Sequence, residues 1–255
     1  MTLSKWQALG NDYLLVERAE LPEPLTPDRV RHLCDYHYGV GSDGLLEVVQ
    51  VEGTHAEVRI WNPDGSTAEL SGNGVRIVAA WLARESESEQ VTLSVGPRHV
   101  EAIVRDGEGI EVDVGRVEVG KTETLDLGDE RVEFTPVSVG NPHAVVRREP
   151  ERSELQRLGP RIERHSRFPE RTNVQLVRVD GLHDLTVGVW ERGAGETLSS
   201  GTSSVSAAAA AIANGWCKSP VIVHLPGGEL LVELQADGSA RLTGPAEEIC
   251  RVELV

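Results

Sequence analysis

The chain has 255 residues, 39% of them hydrophobic and 26% charged, with 26 glycines. That composition is globular and sets aside wholesale disorder, collagen and coiled coil; at roughly 150 residues per domain it allows one large domain or two small ones. Its 41 acidic residues against 25 basic give a formal charge of −16, which argues against a general nucleic-acid binder and against docking on an anionic membrane.

The longest apolar run, residues 205–213 with Ser206 interrupting it, falls short of the roughly 18 residues a membrane span needs. The opening MTLSKWQALGNDYLLVE lacks a charged-then-apolar signal pattern and reads as mature sequence. Cys34, Cys217 and Cys250 are widely spaced with no CxxC, so neither a disulfide framework nor a zinc site is expected, and a reducing cytoplasm is the natural compartment. Lys5, Lys121 and Lys218 are the only lysines, which weakens a Schiff-base reading. There is no GxxxxGK[ST] and no strand-borne GxGxxG, which weakens nucleotide folds.

In chain order, the alternation over residues 57–61 predicts a strand, followed by a Gly/Asp-rich turn. Ser71-Gly72 then opens a helical run over 75–83. VTLSV (91–95), RHVEAIV (98–104) and IEVDVG (110–115) read as strands, and the domain junction is placed near 115–124. The order then recurs: a strand over 186–190, a turn, Ser200-Gly201 opening a helical run over 205–213, and strands at VIVHLP (221–226) and ELLVEL (229–234). Both helices are apolar on most faces and should be buried.

The recurrence has a register. At an offset of 129, Val58 falls on Val187, Trp61 on Trp190, Ser71 on Ser200, Gly72 on Gly201 and Ala79-Ala80 on Ala208-Ala209. At an offset of 130, Gly10-Asn11 falls on Gly140-Asn141, and Ser42-Asp43 on Thr172-Asn173. Four matches in one order at nearly one spacing read as a duplicated domain. The expectation is an α/β (α+β) fold of two pseudo-symmetric domains, each a curved mixed or antiparallel sheet around a central buried helix. One domain covers 1–117, with the strand over 242–255 returning to it, and the other 118–241. A hydroxyl residue would sit at each helix start, where exposed N–H groups and the helix dipole attract anions. Two such ends facing each other across a cleft would suit a ligand with carboxylates. Ser-Gly before a helix also serves simply as an N-cap.

At these residues the sequence resembles the diaminopimelate epimerase family. The resemblance spans nearly the whole chain: LGNDYLLVE at 9–17, YGVGSDGLLEV at 38–48, RIWNPDGSTAELSGNGVR at 59–76, SVGNPHAVV at 138–146, RTNVQLV at 171–177 and WERGAGETLSSGT at 190–202. The resemblance implies a diaminopimelate epimerase-like fold and inversion at one α-carbon of L,L-2,6-diaminopimelate to the meso form, with no metal and no cofactor. It also implies a small-molecule amino-acid substrate and a homodimer. Carried over by position, Asn11, Asn62, Asn141 and Asn173 would hold substrate. Glu191 and Arg192 would meet its amino and carboxylate groups, with Glu191 also among the catalytic residues, and Gly72-Asn73 and Gly201-Thr202 would offer backbone N–H cradles. His143 would stand beside the catalytic pair. On residue type alone, asparagine after glycine also forms turns, a Glu-Arg pair also makes surface ion pairs, and Asp64 and Glu196 read as turn and cap residues. Gly44 stands where some family members carry glutamine.

The departure lies at the two catalytic positions. The family uses a cysteine on each face of the α-carbon, and this chain has Ser71 and Ser200 there. A thiol titrates near 8.5, whereas a serine hydroxyl is roughly five or more units weaker as an acid, which costs about 7 kcal/mol at 1.36 kcal/mol per unit. A neighbour could assist, and His143 is the one candidate the sequence offers. Three readings stand at this point. The chain is an epimerase or racemase with assisted serines, it runs a changed reaction on another amino acid such as a dehydration, or it binds an amino acid without turnover, whether naturally or by deliberate replacement. The serines at 199, 203, 204 and 206 favour a natural serine-bearing branch.

Overall fold

The computed structural model describes residues 1–105, 107 and 109–254. The chain divides into two compact units, 1–113 with 243–255, and 114–242. Both are mixed α+β.

The first unit runs β1 (Thr2–Ala8), β2 (Asn11–Glu17), α1 (Pro27–Cys34), β3 (Leu45–Glu52), β4 (His55–Trp61), β5 (Thr67–Ala68), α2 (Gly72–Ser86), β6 (Gln90–Val95) and β7 (Arg98–Arg105). Strand β8 (Gly109–Arg116) then carries the chain across the boundary. β1 and β2 form a hairpin closed by Leu9 and Gly10, both at positive φ (55° and 81°), the geometry that a two-residue turn between twisted strands demands. β2 pairs with β3 in parallel, β3 with β4 antiparallel, β4 with β5 antiparallel, β4 with β6 in parallel, and β6 with β7 antiparallel.

The second unit runs β9 (Glu118–Val119), β10 (Glu123–Asp126), β11 (Arg131–Ser138), β12 (Pro142–Arg147), α3 (Arg152–Glu163), β13 (Asn173–Val179), β14 (Asp184–Glu191), β15 (Gly195–Thr197), α4 (Gly201–Ala213), β16 (Val221–Leu225), β17 (Gly228–Leu234) and β18 (Ser239–Gly244). The pairing sequence of the first unit is repeated: β11–β12 antiparallel, β12–β13 parallel, β13–β14 and β14–β15 antiparallel, β14–β16 parallel, β16–β17 antiparallel. Strand β19 (Glu247–Glu253) returns to the first unit and pairs antiparallel with β1, from Thr2↔Glu253 to Gln7↔Glu247.

Parallel neighbours cannot be joined by a tight turn and need a crossover. That explains the two helices the sequence reading lacks. α1 carries β2 to β3 and α3 carries β12 to β13, while α2 and α4 make the β4-to-β6 and β14-to-β16 crossovers. In the first unit α1 packs Val30, Leu33 and Cys34 against Leu14, Val16 and Leu45. In the second, α3 packs Leu155, Leu158 and Ile162 against Ala144, Val146, Val174 and Leu176. Because side chains alternate along a strand, Tyr13 on β2 and His143 on β12 fall on the other face. There lie α2 and α4, the buried central helices expected from sequence. Ile77, Val78, Ala79 and Leu82 of α2 and all five alanines over 207–211 of α4 are shut from solvent. Both helices begin earlier than their apolar runs, at Gly72 and Gly201, since their first turns are polar and small.

Candidate active site

In the first unit, Ser71 is the N-cap of α2, with extended backbone. Its Oγ accepts the Gly74 N–H at 3.1 Å, the hydrogen bond expected of a capping serine. The same oxygen lies 3.0 Å from the Tyr13 hydroxyl. One turn in, Asn73 donates from Nδ2 to Asn11 Oδ1 at 3.0 Å, and Asn11 Nδ2 donates to Asp43 at 2.8 Å. Arg76, wholly buried, anchors this chain of amides. Its guanidinium donates to Asn73 Oδ1 (2.9 Å), to the Gly72 carbonyl (3.2 Å) and to the Pro245 carbonyl (3.3 Å). Burial pulls its pKa down to about 10, so it remains a cation at neutral pH behind the N-terminus of α2. Asn62 closes the turn after β4, with its amide on the Ser66 hydroxyl at 2.9 Å, and Asp64 organises the same turn through the Ser66 N–H and hydroxyl.

The second unit repeats the placement with different partners. Ser200 is the N-cap of α4 and is buried, but its side chain makes no capping bond. Its hydroxyl donates instead to Glu191 Oε2, at 3.2 Å, on the last residue of β14. Desolvation pushes the Glu191 carboxyl pKa up and so raises its affinity for a proton. Asn173 donates to the Pro142 carbonyl at 3.1 Å and accepts the Arg192 N–H at 2.9 Å. Arg192 is exposed and donates to the Glu170 carbonyl at 3.2 Å. Behind the loop, buried Glu163 accepts from Trp190 Nε1 (2.9 Å) and the Gly193 N–H (3.2 Å), which fixes the strand end that carries Glu191. Glu196 does not cap a helix start; its carboxylate pairs with Arg152 and Gln156 of α3, each at 3.0 Å.

His143 is buried with both ring nitrogens engaged, Nε2 to Asn141 Oδ1 at 2.9 Å and Nδ1 to Gln175 Nε2 at 3.0 Å. These partners fix the neutral Nε2–H tautomer, and desolvation drives the pKa down to about 3. Within this unit the group beside the Ser200 hydroxyl is Glu191, not His143. The sequence reading did not single out Tyr13, Asp43, Arg76, Gln175 or Glu163. One signal was available: at the offset of 130, Tyr13 falls on His143. Among the described residues no three His, Cys, Asp or Glu side chains cluster as a metal site.

A hydroxyl whose oxygen meets a carboxylate can take a proton from carbon while handing its own to that carboxylate, and need never stand as an alkoxide. Each helix start adds the N–H groups of its first turn, in Gly72-Asn73 and Gly201-Thr202, which have no intrahelical partner and favour a bound anion. A duplicated α+β frame with a serine hydroxyl at the start of each central helix, one of them on a carboxylate, suits an enzyme that moves a proton on an acidic small molecule.

Comparison with known proteins narrows the class. The sequence model described as diaminopimelate epimerase matches residues 3–120 and 135–249. The chain is similar to "Diaminopimelate epimerase 2" of Nostoc sp., 36% identical over 273 residues, covering 100% of this chain and 95% of the relative. It is also similar to a diaminopimelate epimerase of Desulfitobacterium hafniense, 37% identical over 271 residues, covering 96% of this chain and 95% of that one. The fold is shared with a predicted epimerase from Pseudomonas aeruginosa (TM-score 0.73, 18% identity, covering 100% of this chain and 99% of the other). A probable proline racemase from Agrobacterium radiobacter shares it too (TM-score 0.73, 16% identity, covering 100% and 92%). The protein is an amino-acid isomerase. It belongs to the diaminopimelate epimerase family.

Proposed function

We propose that this chain inverts one α-carbon of L,L-2,6-diaminopimelate to give the meso form, a step that serves lysine and cell-wall synthesis, with Ser71 and Ser200 standing for the family's two cysteines. The observation that carries the reading is the Ser200 hydroxyl aimed at the desolvated Glu191 carboxylate. Inversion needs a base on one face of the carbon and an acid on the other; Ser200, backed by Glu191, serves one face and Ser71 the other. Asn11, Asn62, Asn73, Asn141, Asn173 and Arg192 hold the amino and carboxylate groups, and the N–H groups at Gly72-Asn73 and Gly201-Thr202 take carboxylate charge as the carbanion develops. His143, neutral and held by Asn141 and Gln175, keeps Asn141 in place. The reaction so written calls on no metal or organic cofactor. We place the enzyme in the cytoplasm as a homodimer; its three thiols, free of disulfides, fit a reducing compartment.

The test is proton exchange. The purified protein is incubated with L,L-diaminopimelate in heavy water and the α-hydrogen signals are followed by NMR, beside Ser71→Cys/Ser200→Cys. Deuterium incorporation with meso product from the unmodified chain is the expected result. Exchange seen only in the double-cysteine variant would leave the substrate site standing but remove turnover from the natural serines. Silence from both would overturn the diaminopimelate assignment.

A further inference from the structure

The two serines are not served alike. Ser200 has a carboxylate, whereas Ser71 Oγ accepts the Gly74 N–H and lies 3.0 Å from the Tyr13 hydroxyl. Tyr13 is buried on β2, opposite Trp6 in the hairpin. Its ring is seated closely: a Cβ at Gly44 would come within 2.6 Å of ring atom Cε1 and 2.7 Å of the Trp61 carbonyl oxygen. The phenol is therefore held by packing in a direction that points its hydroxyl at the start of α2.

We propose that Tyr13 is the proton-relay partner of Ser71, so that phenol and serine act as one acid–base unit. This rests on the reading of Ser71 as the group serving one face of the α-carbon. When Ser71 acts as the acid, its O–H bond breaks and the proton joins the carbanion lone pair as a new C–H bond. The electron pair left on Oγ takes the Tyr13 proton, and a phenolate remains. In the opposite direction each transfer reverses, and the phenolate otherwise regains its proton from water. The charge thus rests on a phenolate instead of an alkoxide, and free phenols are stronger acids than alcohols by more than about five units. Because Tyr13 acts through Ser71, it is a positioning residue.

Two readouts test this, and the first needs no substrate. In Ser71→Cys the pH midpoint of alkylation at residue 71 by iodoacetamide is followed by mass spectrometry, with and without Tyr13→Phe, which keeps the ring. A phenol donating to the thiolate lowers that midpoint, so Tyr13→Phe should raise it by roughly half a unit to one unit. An unmoved or lowered midpoint would overturn the contact. The second is exchange of diaminopimelate α-hydrogens. Tyr13→Phe should cut kcat about 100-fold with KM nearly unchanged, and should have little effect in the Ser71→Cys background, where a thiol needs no relay. Equal losses in both backgrounds, or no loss in either, would overturn the relay. If no variant exchanges diaminopimelate, the substrate assignment fails, and the thiol midpoint alone decides the role of Tyr13.

Discussion

Replacing Glu191 by glutamine tests the base on the Ser200 side. The amide keeps the shape of the side chain and can still accept the Ser200 hydroxyl, but it cannot keep a proton. Without the carboxylate, Ser200 must become an alkoxide to act. Against water's 15.7, an alkoxide at pH 7 is disfavoured by close to nine units, about 12 kcal/mol at 1.36 kcal/mol per unit. That is an upper bound, since other routes for the proton open first. Removing a positioned general base commonly costs between about 10² and 10⁴ in rate, or about 3–5 kcal/mol, and we expect about 10³ here. A thiol at Ser200→Cys is only about 1.5 units from pH 7, about 2 kcal/mol, so the same Glu191→Gln change there should cost about tenfold. The assay is the rate of α-deuterium incorporation at saturating L,L-diaminopimelate. Because burial raises the Glu191 pKa, the rate should also fall on the acid side as that carboxyl becomes protonated, and the limb should vanish in the amide variant. A Glu191→Gln rate within threefold of the parent, or equal losses in the serine and cysteine backgrounds, would refute the relay.

Three further outcomes follow from packing and burial. His143 titrates near 3 in the folded chain against a usual value near 6.5. The unfolded chain therefore binds the proton first, and the stability this supplies is complete above pH 6.5 and is lost on acidification toward pH 3. Urea unfolding at pH 7 and pH 4 should show about 3 kcal/mol more loss for the parent than for His143→Gln; parallel losses would refute it. The Ser206 hydroxyl on α4 is buried without a hydrogen-bond partner, so Ser206→Ala should stabilise by about 1–2 kcal/mol, read as a Tm rise of at least about 2 °C. In α3, a Cβ at Gly159 would lie 2.6 Å from the Trp190 ring. Gly159→Ala should therefore lose about 1 kcal/mol net despite a better helix propensity, and should slow exchange because Trp190 precedes Glu191; an unchanged Tm and rate would refute the link.

The central helices were legible because Ser-Gly followed by an apolar run marks both a start and a buried interior, in duplicate. α1 and α3 were not. α1 is eight residues long, with only Val30, Leu33 and Cys34 turned inward. α3 contains Gly159 and Pro160, which read as breaks, although Leu155, Leu158 and Ile162 keep the helical spacing. Thr26 capping the Arg29 N–H ahead of Pro27 was a readable start that the apolar pattern was too short to support. At the site, sequence located both serines but not the bond each makes. The hydroxyls choose between a backbone N–H, a phenol and a carboxylate brought up by strands 58 residues away for Tyr13 and 9 for Glu191, and no local pattern encodes that choice. The histidine that looked like a helper is instead committed to Asn141 and Gln175.

The return of β19 to β1 has a consequence for biosynthesis. The second unit is one unbroken stretch, 114–242, whereas the first is assembled from both ends of it. As the chain leaves the ribosome, the unit encoded first must wait with the β1 edge open until residues 247–253 emerge, while the unit encoded second can already close. Vectorial synthesis usually lets the leading domain fold first; here the order is inverted. The exposed edge of a nascent β1 is then the segment that a chaperone has most reason to shield.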